Sequence, residues 1–391
     1  MTRVLVARLD SMGDVLVTGP AVRAIAADPA VSELAFLCGP AGRPAAELLP
    51  GPTEVFTWES PWTVVPAPPV DEAHLDVLVQ YLRRGFDRVV ILTSFHQSPL
   101  PLALLAKLAG VPHVTGASVD FAGSLLDVRL RPGEDFPEDQ PEAERALTIA
   151  EAAGFSLPAG DDGRLAITDP TGTFFPTGPD GAGTEDDGTR TEAGVLLART
   201  LAEAPYVVLH PGASAPARTW PAENARDTVR ALDSAGYRVV VTGSPAEREL
   251  TRFVAGSRGI DAGGATDLRG TAEILARAEA VIVGNTGPAH LAAAVGTPVV
   301  SLFAPVVPLI RWAPYGVPLE ILGDQHAPCR LSRARDCPVP GHPCLSQVTA
   351  SEVVDALGRL LERVRTGSAA VPDELLTPAR STTRAPRKGP S

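Results

Sequence analysis

Short apolar runs broken by turn residues recur along the chain, most of them followed by a stretch with helical spacing. Arg3 to Leu9 (RVLVARL) reads as a buried strand, and the turn Asp10-Ser11-Met12-Gly13-Asp14 leads into a helix running through Val22 to Ala26. Leu34 to Cys38 reads as a strand with a helix near Pro44 to Leu49, and Arg88 to Thr93 as a strand with a helix over Pro101 to Ala109. An amphipathic helix follows over Glu138 to Gly154. The alternation resumes with a helix around Ala193 to Ala202, a strand at Tyr206 to Leu209, a helix over Ala222 to Ala235, a strand at Tyr237 to Thr242 and a helix from Ala246. After a helix over Ile274 to Ala278, Ala280 to Pro305 (AVIVGNTGPAHLAAAVGTPVVSLFAP) gives the clearest unit. A strand breaks at Gly284, restarts as an alanine-rich helix ending at Gly296-Thr297-Pro298, and returns as a strand over Val299 to Phe303. Thr349 to Arg363 reads as a final helix. Alternating β and α elements predict an α/β fold with parallel, doubly wound sheets.

A chain of 391 residues, 45% hydrophobic, is too long for one ordinary core and suits two. From residue 168 the composition shifts to Gly, Thr, Pro and Asp without periodicity. The expected organisation is therefore a lobe over 1–167, a linker or insertion over 168–192, a second lobe over 193–366 and a disordered Pro/Arg-rich tail over 367–391. A net charge of -12 argues against nucleic acid as a partner. No apolar run reaches bilayer-spanning length, and the amino terminus enters a strand without a leader pattern, so the expected location is cytoplasmic, with room for peripheral work at the inner membrane face. No protein partner is evident.

Chemistry concentrates in the turns. At Asn285-Thr286-Gly287-Pro288, Thr286 is placed to cap the helix, Gly287 is flexible, and Pro288 stands where its missing N–H costs little. Free N–H groups and the positive end of the helix dipole favour an anion such as a diphosphate, and His290 could add a donor; the bland alternative is an ordinary turn of a parallel sheet. Asp14 is a carboxylate at a helix start, either a dipole-stabilised acid or a base. Its turn lacks the G-x-G-x-x-G spacing of a dinucleotide site. Arg218, just before Trp220-Pro221, can pair bidentately with pyrophosphate oxygens or remain solvated. His96 and Gln97 follow a strand end and either face an acceptor or hold their loop; the Pro/Trp-rich stretch from Trp58 to Pro69 reads as a surface loop. Cys329, Cys337, Cys344, His326 and His342 either shape a loop or hold a structural zinc, and Cys38 reads as a core residue.

Three strings carry a resemblance: Ser-Met-Gly-Asp at 11–14, His-Pro-Gly-Ala-Ser at 210–214 followed by Arg-Thr-Trp-Pro at 218–221, and GNTGPAHLAAAVGTPVVSLFAP from Gly284. In this order they resemble glycosyltransferase family 9, which includes the ADP-heptose:lipopolysaccharide heptosyltransferases. The resemblance implies two Rossmann-like lobes facing a cleft (the GT-B architecture) and an inverting transfer of heptose or a related sugar. The implied donor is a nucleotide-diphosphate sugar, ADP-linked, and the acceptor a hydroxyl of a cell-surface glycan, glycolipid or natural product. It further implies Asp14 as general base, and Arg218, Ser214, Thr286, Gly287, Pro288 and His290 at the donor diphosphate. Asn285, Glu247 and Leu268 would lie near the donor sugar or nucleoside, and Ser11, Met12, Gly13, His96 and Gln97 near the acceptor. No cofactor is required on this reading, since dipole and arginine can neutralise the leaving diphosphate. Asn285 departs from the family's usual aspartate, keeping hydrogen bonds and losing a charge. The rival readings are a nucleotide-sugar epimerase, a non-catalytic sugar-nucleotide-binding homologue and, disfavoured by the missing glycine fingerprint, a dinucleotide oxidoreductase.

Overall fold

A computed structural model describes residues 1–64, 66–170 and 192–367. Most of the expected linker and nearly all of the expected tail lie outside the described residues. Twelve strands among the described residues form two parallel sheets of six. The first comprises β1 (Thr2–Arg8), β2 (Val31–Cys38), β3 (Glu54–Thr57), β4 (Arg88–Ile91), β5 (His113–Ala117) and β6 (Val128–Leu130). The second comprises β7 (Val207–His210), β8 (Val239–Val241), β9 (Ile260–Asp261), β10 (Val281–Gly284), β11 (Val299–Leu302) and β12 (Leu319–Leu322). Their orders are β3-β2-β1-β4-β5-β6 and β12-β11-β10-β7-β8-β9. Counted within each half, both are the same 3-2-1-4-5-6 winding.

The central strands carry unbroken apolar runs, Val4 to Ala7 in β1 and Val281 to Val283 in β10, because helices cover both faces. In β1, Val4 and Val6 join the cluster beneath one layer, while Leu5 and Ala7 join the cluster beneath the other. In β10, Val281 and Val283 face one cluster and Ile282 the opposite one. A single cluster runs from Val4 and Phe36 in the first sheet to Val208 and Val283 in the second, so the lobes share apolar packing.

The helices are α1 (Met12–Leu16), α2 (Gly19–Ala26), α3 (Arg43–Ala46), α4 (Glu72–Leu82), α5 (Leu100–Leu108) and α6 (Glu142–Ala152) in the first half. The second half has α7 (Glu192–Ala202), α8 (Ala222–Ser234), α9 (Arg248–Ala255), α10 (Leu268–Ala276), α11 (Gly287–Ala294), α12 (Leu309–Trp312), α13 (Pro343–Ser346) and α14 (Ala350–Arg365). The single helix expected after Asp14 is split into α1 and α2. Pro20, at the start of α2, has no N–H to continue the ladder, and the Thr18 hydroxyl instead donates to the Val15 carbonyl at 2.6 Å. Gly296, at φ +80, ends α11 in the left-handed conformation that a side chain resists. Among the described residues no helix is long and apolar enough to cross a membrane.

Candidate active site

In an open parallel sheet a crevice forms beyond the strand ends where the winding reverses. In the first sheet that point lies between β1 and β4, in the second between β7 and β10. The turns after these four strands are Leu9–Asp14, Leu92–Gln97, Pro211–Arg218 and Asn285–Gly287, and they carry most of the residues singled out from the sequence.

The two lobes meet at two glycines. A side chain on Gly287 would place its Cβ 2.2 Å from the Met12 Cε, and one on Gly13 would come within 2.9 Å of the His290 ring and 3.3 Å of the Gly287 Cα. The start of α1 is therefore seated on the start of α11. Thr286 occupies the cap position of α11, but its hydroxyl makes no capping bond, and the Gly287 N–H has no backbone partner among the described residues. Both are available to an anion. Arg218 ends a short 3₁₀ turn (Pro216–Arg218), and its Nε is buried without a hydrogen-bond partner. Burial lowers its pKa while Asp14 opposes that shift, so the guanidinium lacks a neutralising contact and faces the amino lobe's acid.

His290, expected as a donor, lies buried. Burial first, and Arg218 second, push its pKa down to about 4 against the pull of Asp14. The ring is neutral, stands edge-on to Trp312 at 6.3 Å, and keeps a buried Nδ1 without a partner.

Asp14 is tied on both sides. Its Oδ2 accepts from the Ser11 N–H at 3.1 Å and the Ser11 hydroxyl at 2.5 Å, and its Oδ1 accepts from Arg8 Nη2 at 3.1 Å. The same Nη2 lies 2.9 Å from Asp10 Oδ2, and Arg8 is 1% exposed. Gln97 donates to Asp10 Oδ1 at 2.8 Å and accepts from the Ser94 N–H at 3.1 Å. Its amide thus holds Asp10 and its own loop. His96 stands edge-on to Phe95 at 5.0 Å; desolvation and nearby Arg333 lower its pKa.

Asn285 is buried, with Nδ2 donating to the Ala304 carbonyl at 3.3 Å and Oδ1 accepting from the Ala304 N–H at 3.2 Å. It joins the ends of β10 and β11. One oxygen of Glu247 accepts from the Ser244 N–H (2.7 Å) and hydroxyl (2.8 Å), and the carboxylate lies against Gly212, where a Cβ would fall 1.8 Å from Oε1. Ser214 is exposed in the loop after β7. Pro288 stands in the first turn of α11, and Leu268 opens α10 beneath the second lobe's cluster.

The structure does not support zinc at the cysteines. Cys337 donates to the Val339 carbonyl, His342 Nε2 lies 3.1 Å from the Ala217 carbonyl, and Cys329 and Cys344 are buried. Burial and the neighbouring Cys329 and Cys337 raise the Cys344 thiol to about 12. Among the described residues no group of three or more His, Cys, Asp or Glu side chains is placed to hold a metal.

Sequence reading missed Arg8, Asp10, Glu142 and Arg311, all charged, all at or behind the site. Their signal was faint: a charge inside an apolar strand in Arg8, and charges on an otherwise ordinary helix.

Compared with known proteins, residues 77–342 match the model described as Glycosyltransferase family 9 (heptosyltransferase). The chain is 27% identical over 234 residues to lipopolysaccharide heptosyltransferase 2 of Escherichia coli, covering 58% of this chain and 62% of that protein, less than two thirds of its length. Among solved structures, E. coli ADP-heptose lipopolysaccharide heptosyltransferase II superposes with a TM-score of 0.66 at 21% identity, covering 93% of this chain and all of that one. An E. coli heptosyltransferase solved with ADP gives 0.60 at 19%, covering 93% and 100%. At such identities the structures speak to the fold, two Rossmann-like lobes about a cleft.

Proposed function

The chain belongs to glycosyltransferase family 9, the heptosyltransferase family, and from that premise we propose that it transfers heptose or a related sugar from a nucleoside-diphosphate donor to a hydroxyl acceptor with inversion. The observation that carries the reading is the pairing of an unneutralised Arg218 and the open start of α11 on one lobe with Asp14 on the other. The donor diphosphate lies between Arg218 on one side and the Thr286 hydroxyl and Gly287 N–H on the other, with Ser214 and Pro288 beside it. Neutral His290 supports that turn by packing. Asp14, oriented by Ser11 and Arg8, accepts the acceptor's proton as its oxygen attacks the anomeric carbon, and the diphosphate leaves from the opposite face. Arg218 and the helix dipole meet the charge that develops there, so a divalent metal is dispensable.

Glu247 lies near the ribose, and Leu268 near the base. ADP is the donor nucleotide, a choice supported by the neighbour solved with it. The acceptor, a cell-surface glycan, glycolipid or small natural product, enters past Met12, Gly13 and His96, from a cytoplasmic site that reaches the inner membrane face. Lobe boundaries fall within 168–192.

Calorimetric titration with ADP, UDP, GDP, dTDP and NAD in metal-free buffer tests this. Selective binding of a nucleoside diphosphate supports the reading. Binding of NAD alone, or of nothing, overturns it.

A further inference from the structure

Among the described residues, Glu142 is the one carboxylate in ion-pair contact with arginines of both lobes. It sits in the first turn of α6 with its side chain 1% exposed; Oε2 lies 3.7 Å from Arg8 Nη1 of the amino lobe, and Oε1 lies 3.5 Å from Arg311 Nη1 of the carboxyl lobe. Arg311, 2% exposed on α12, also pairs with Glu138 at 3.1 Å and Asp139 at 3.6 Å and lies over the Phe95 ring at 4.1 Å. Arg8 in turn holds Asp14 through the other arm of its guanidinium. We propose that Arg311, Glu142 and Arg8 form a relay through which the seating of the carboxyl lobe sets the charge and orientation of the Asp14 carboxylate, making Glu142 and Arg311 positioning residues.

Placing a carboxylate between two buried guanidiniums costs desolvation that apolar side chains of the same size would avoid. The cost serves a purpose if the charge balance must change with lobe position. With Arg311 in place, Glu142 is shared and Arg8 keeps its attraction for Asp14. With Arg311 withdrawn, Glu142 is left to Arg8 and Arg145, so more of its charge falls on Arg8 and the hold on Asp14 weakens. The base is thus completed only when α12 is seated, the arrangement in which Met12 and Gly13 meet α11 and the donor site is closed. Tyr315, donating to Glu144 at 3.1 Å, braces the same contact.

Other charges face Asp14. Arg8 and Asp10 reach it from β1 and its turn and Glu142 from α6, with Arg145 and Arg311 behind Glu142. Arg218 and His290 lie on the donor side, and His96 with Arg333 on the acceptor side. Removing any one moves Asp14 by direct field, so a simple shift is no proof of a relay. The proof is that Arg311 acts through Glu142.

The relay rests on the transferase reading only for its purpose, so its test uses the free protein. In protein labelled with ¹³Cγ-aspartate, with Asp14 assigned by its loss in Asp14→Asn, the titration midpoint is measured in wild type, Glu142→Gln, Arg311→Met and the double variant. Glu142→Gln should lower the midpoint and Arg311→Met should raise it, each by roughly half a unit or more. In the Glu142→Gln background, Arg311→Met should move it by less than half as much. Equal shifts in both backgrounds, or no shift in either, overturn the relay. Arg311→Gln serves if the methionine variant does not fold, and the same outcomes decide. Where a donor is turned over, Arg311→Met should lower kcat roughly tenfold or more with donor affinity kept, and Arg311→Lys should recover part of it. Coupled midpoints in a protein that transfers no sugar would sustain the relay and defeat the transferase reading; uncoupled midpoints in an active enzyme would do the reverse.

Discussion

Arg218 and His290 stand a few residues from the same proposed diphosphate, yet burial gives them different work. The arginine's buried Nε has no hydrogen-bond partner among the described residues, and Asp14 attracts it from the other lobe. Arg218→Ala should therefore weaken ADP binding about tenfold or more, the worth of one charged hydrogen bond, as read by calorimetry; an unaltered Kd would remove it from the phosphate site. The histidine stays neutral, and its folded pKa of about 4 lies below its ordinary 6.5. Stability from keeping it neutral is complete above pH 6.5 and drains as pH falls from there toward 4, because the unfolded chain takes up the proton first. Buried His210 is shifted in the same direction and adds to the slope. Urea denaturation between pH 6.5 and 4.5 should show a steep loss in wild type, flattened by about one proton in His290→Gln; an equal slope in both would place the charge loss elsewhere. Asn285 has a backbone partner that its sequence neighbours do not reveal. Its bidentate pairing with the Ala304 backbone requires both a donor and an acceptor. Asn285→Asp should cost about 1–3 kcal/mol at neutral pH, since a carboxylate cannot donate to the Ala304 carbonyl; a urea midpoint equal to wild type would contradict this.

At the level of elements, the strands legible in the sequence were those at the centre of each sheet. The runs in β1 and β10 are buried on both faces, so they are apolar without a break. By contrast β3, β6 and β12 are edge strands of three or four residues, largely half-buried, and their short runs (EVFT, VRL, LEIL) merge with the neighbouring loops. The helix start at Gly287 was legible because its constraint is local, but the missing cap bond of Thr286 was not, since a side chain's rotamer is set by its neighbours. Close approach explains the glycines where α1 meets α11. Gly13→Ala, whose Cβ would meet the His290 ring and the Gly287 backbone, should drive the start of α1 off α11 and weaken ADP binding, with the amino-lobe strands left intact. Calorimetry and circular dichroism would check this, and unchanged affinity would mean the contact yields without cost.

Across the whole molecule, two sheets of identical winding set their switch points against each other, so Asp14 of one half comes opposite Arg218 and the start of α11 in the other. That pairing was readable from motif order. The charge network behind it was not, because Arg8, Glu142 and Arg311 are brought together by tertiary packing across separations of 134 and 169 residues, the differences of their numbers. The measurement that tests the account most directly compares wild type with Asp14→Asn for sugar transfer and for ADP affinity. A general base predicts that kcat falls by about 10²–10⁴ while Kd stays within about twofold. Turnover equal to wild type, or a matching collapse of nucleotide binding, would contradict the assignment of Asp14 as the base.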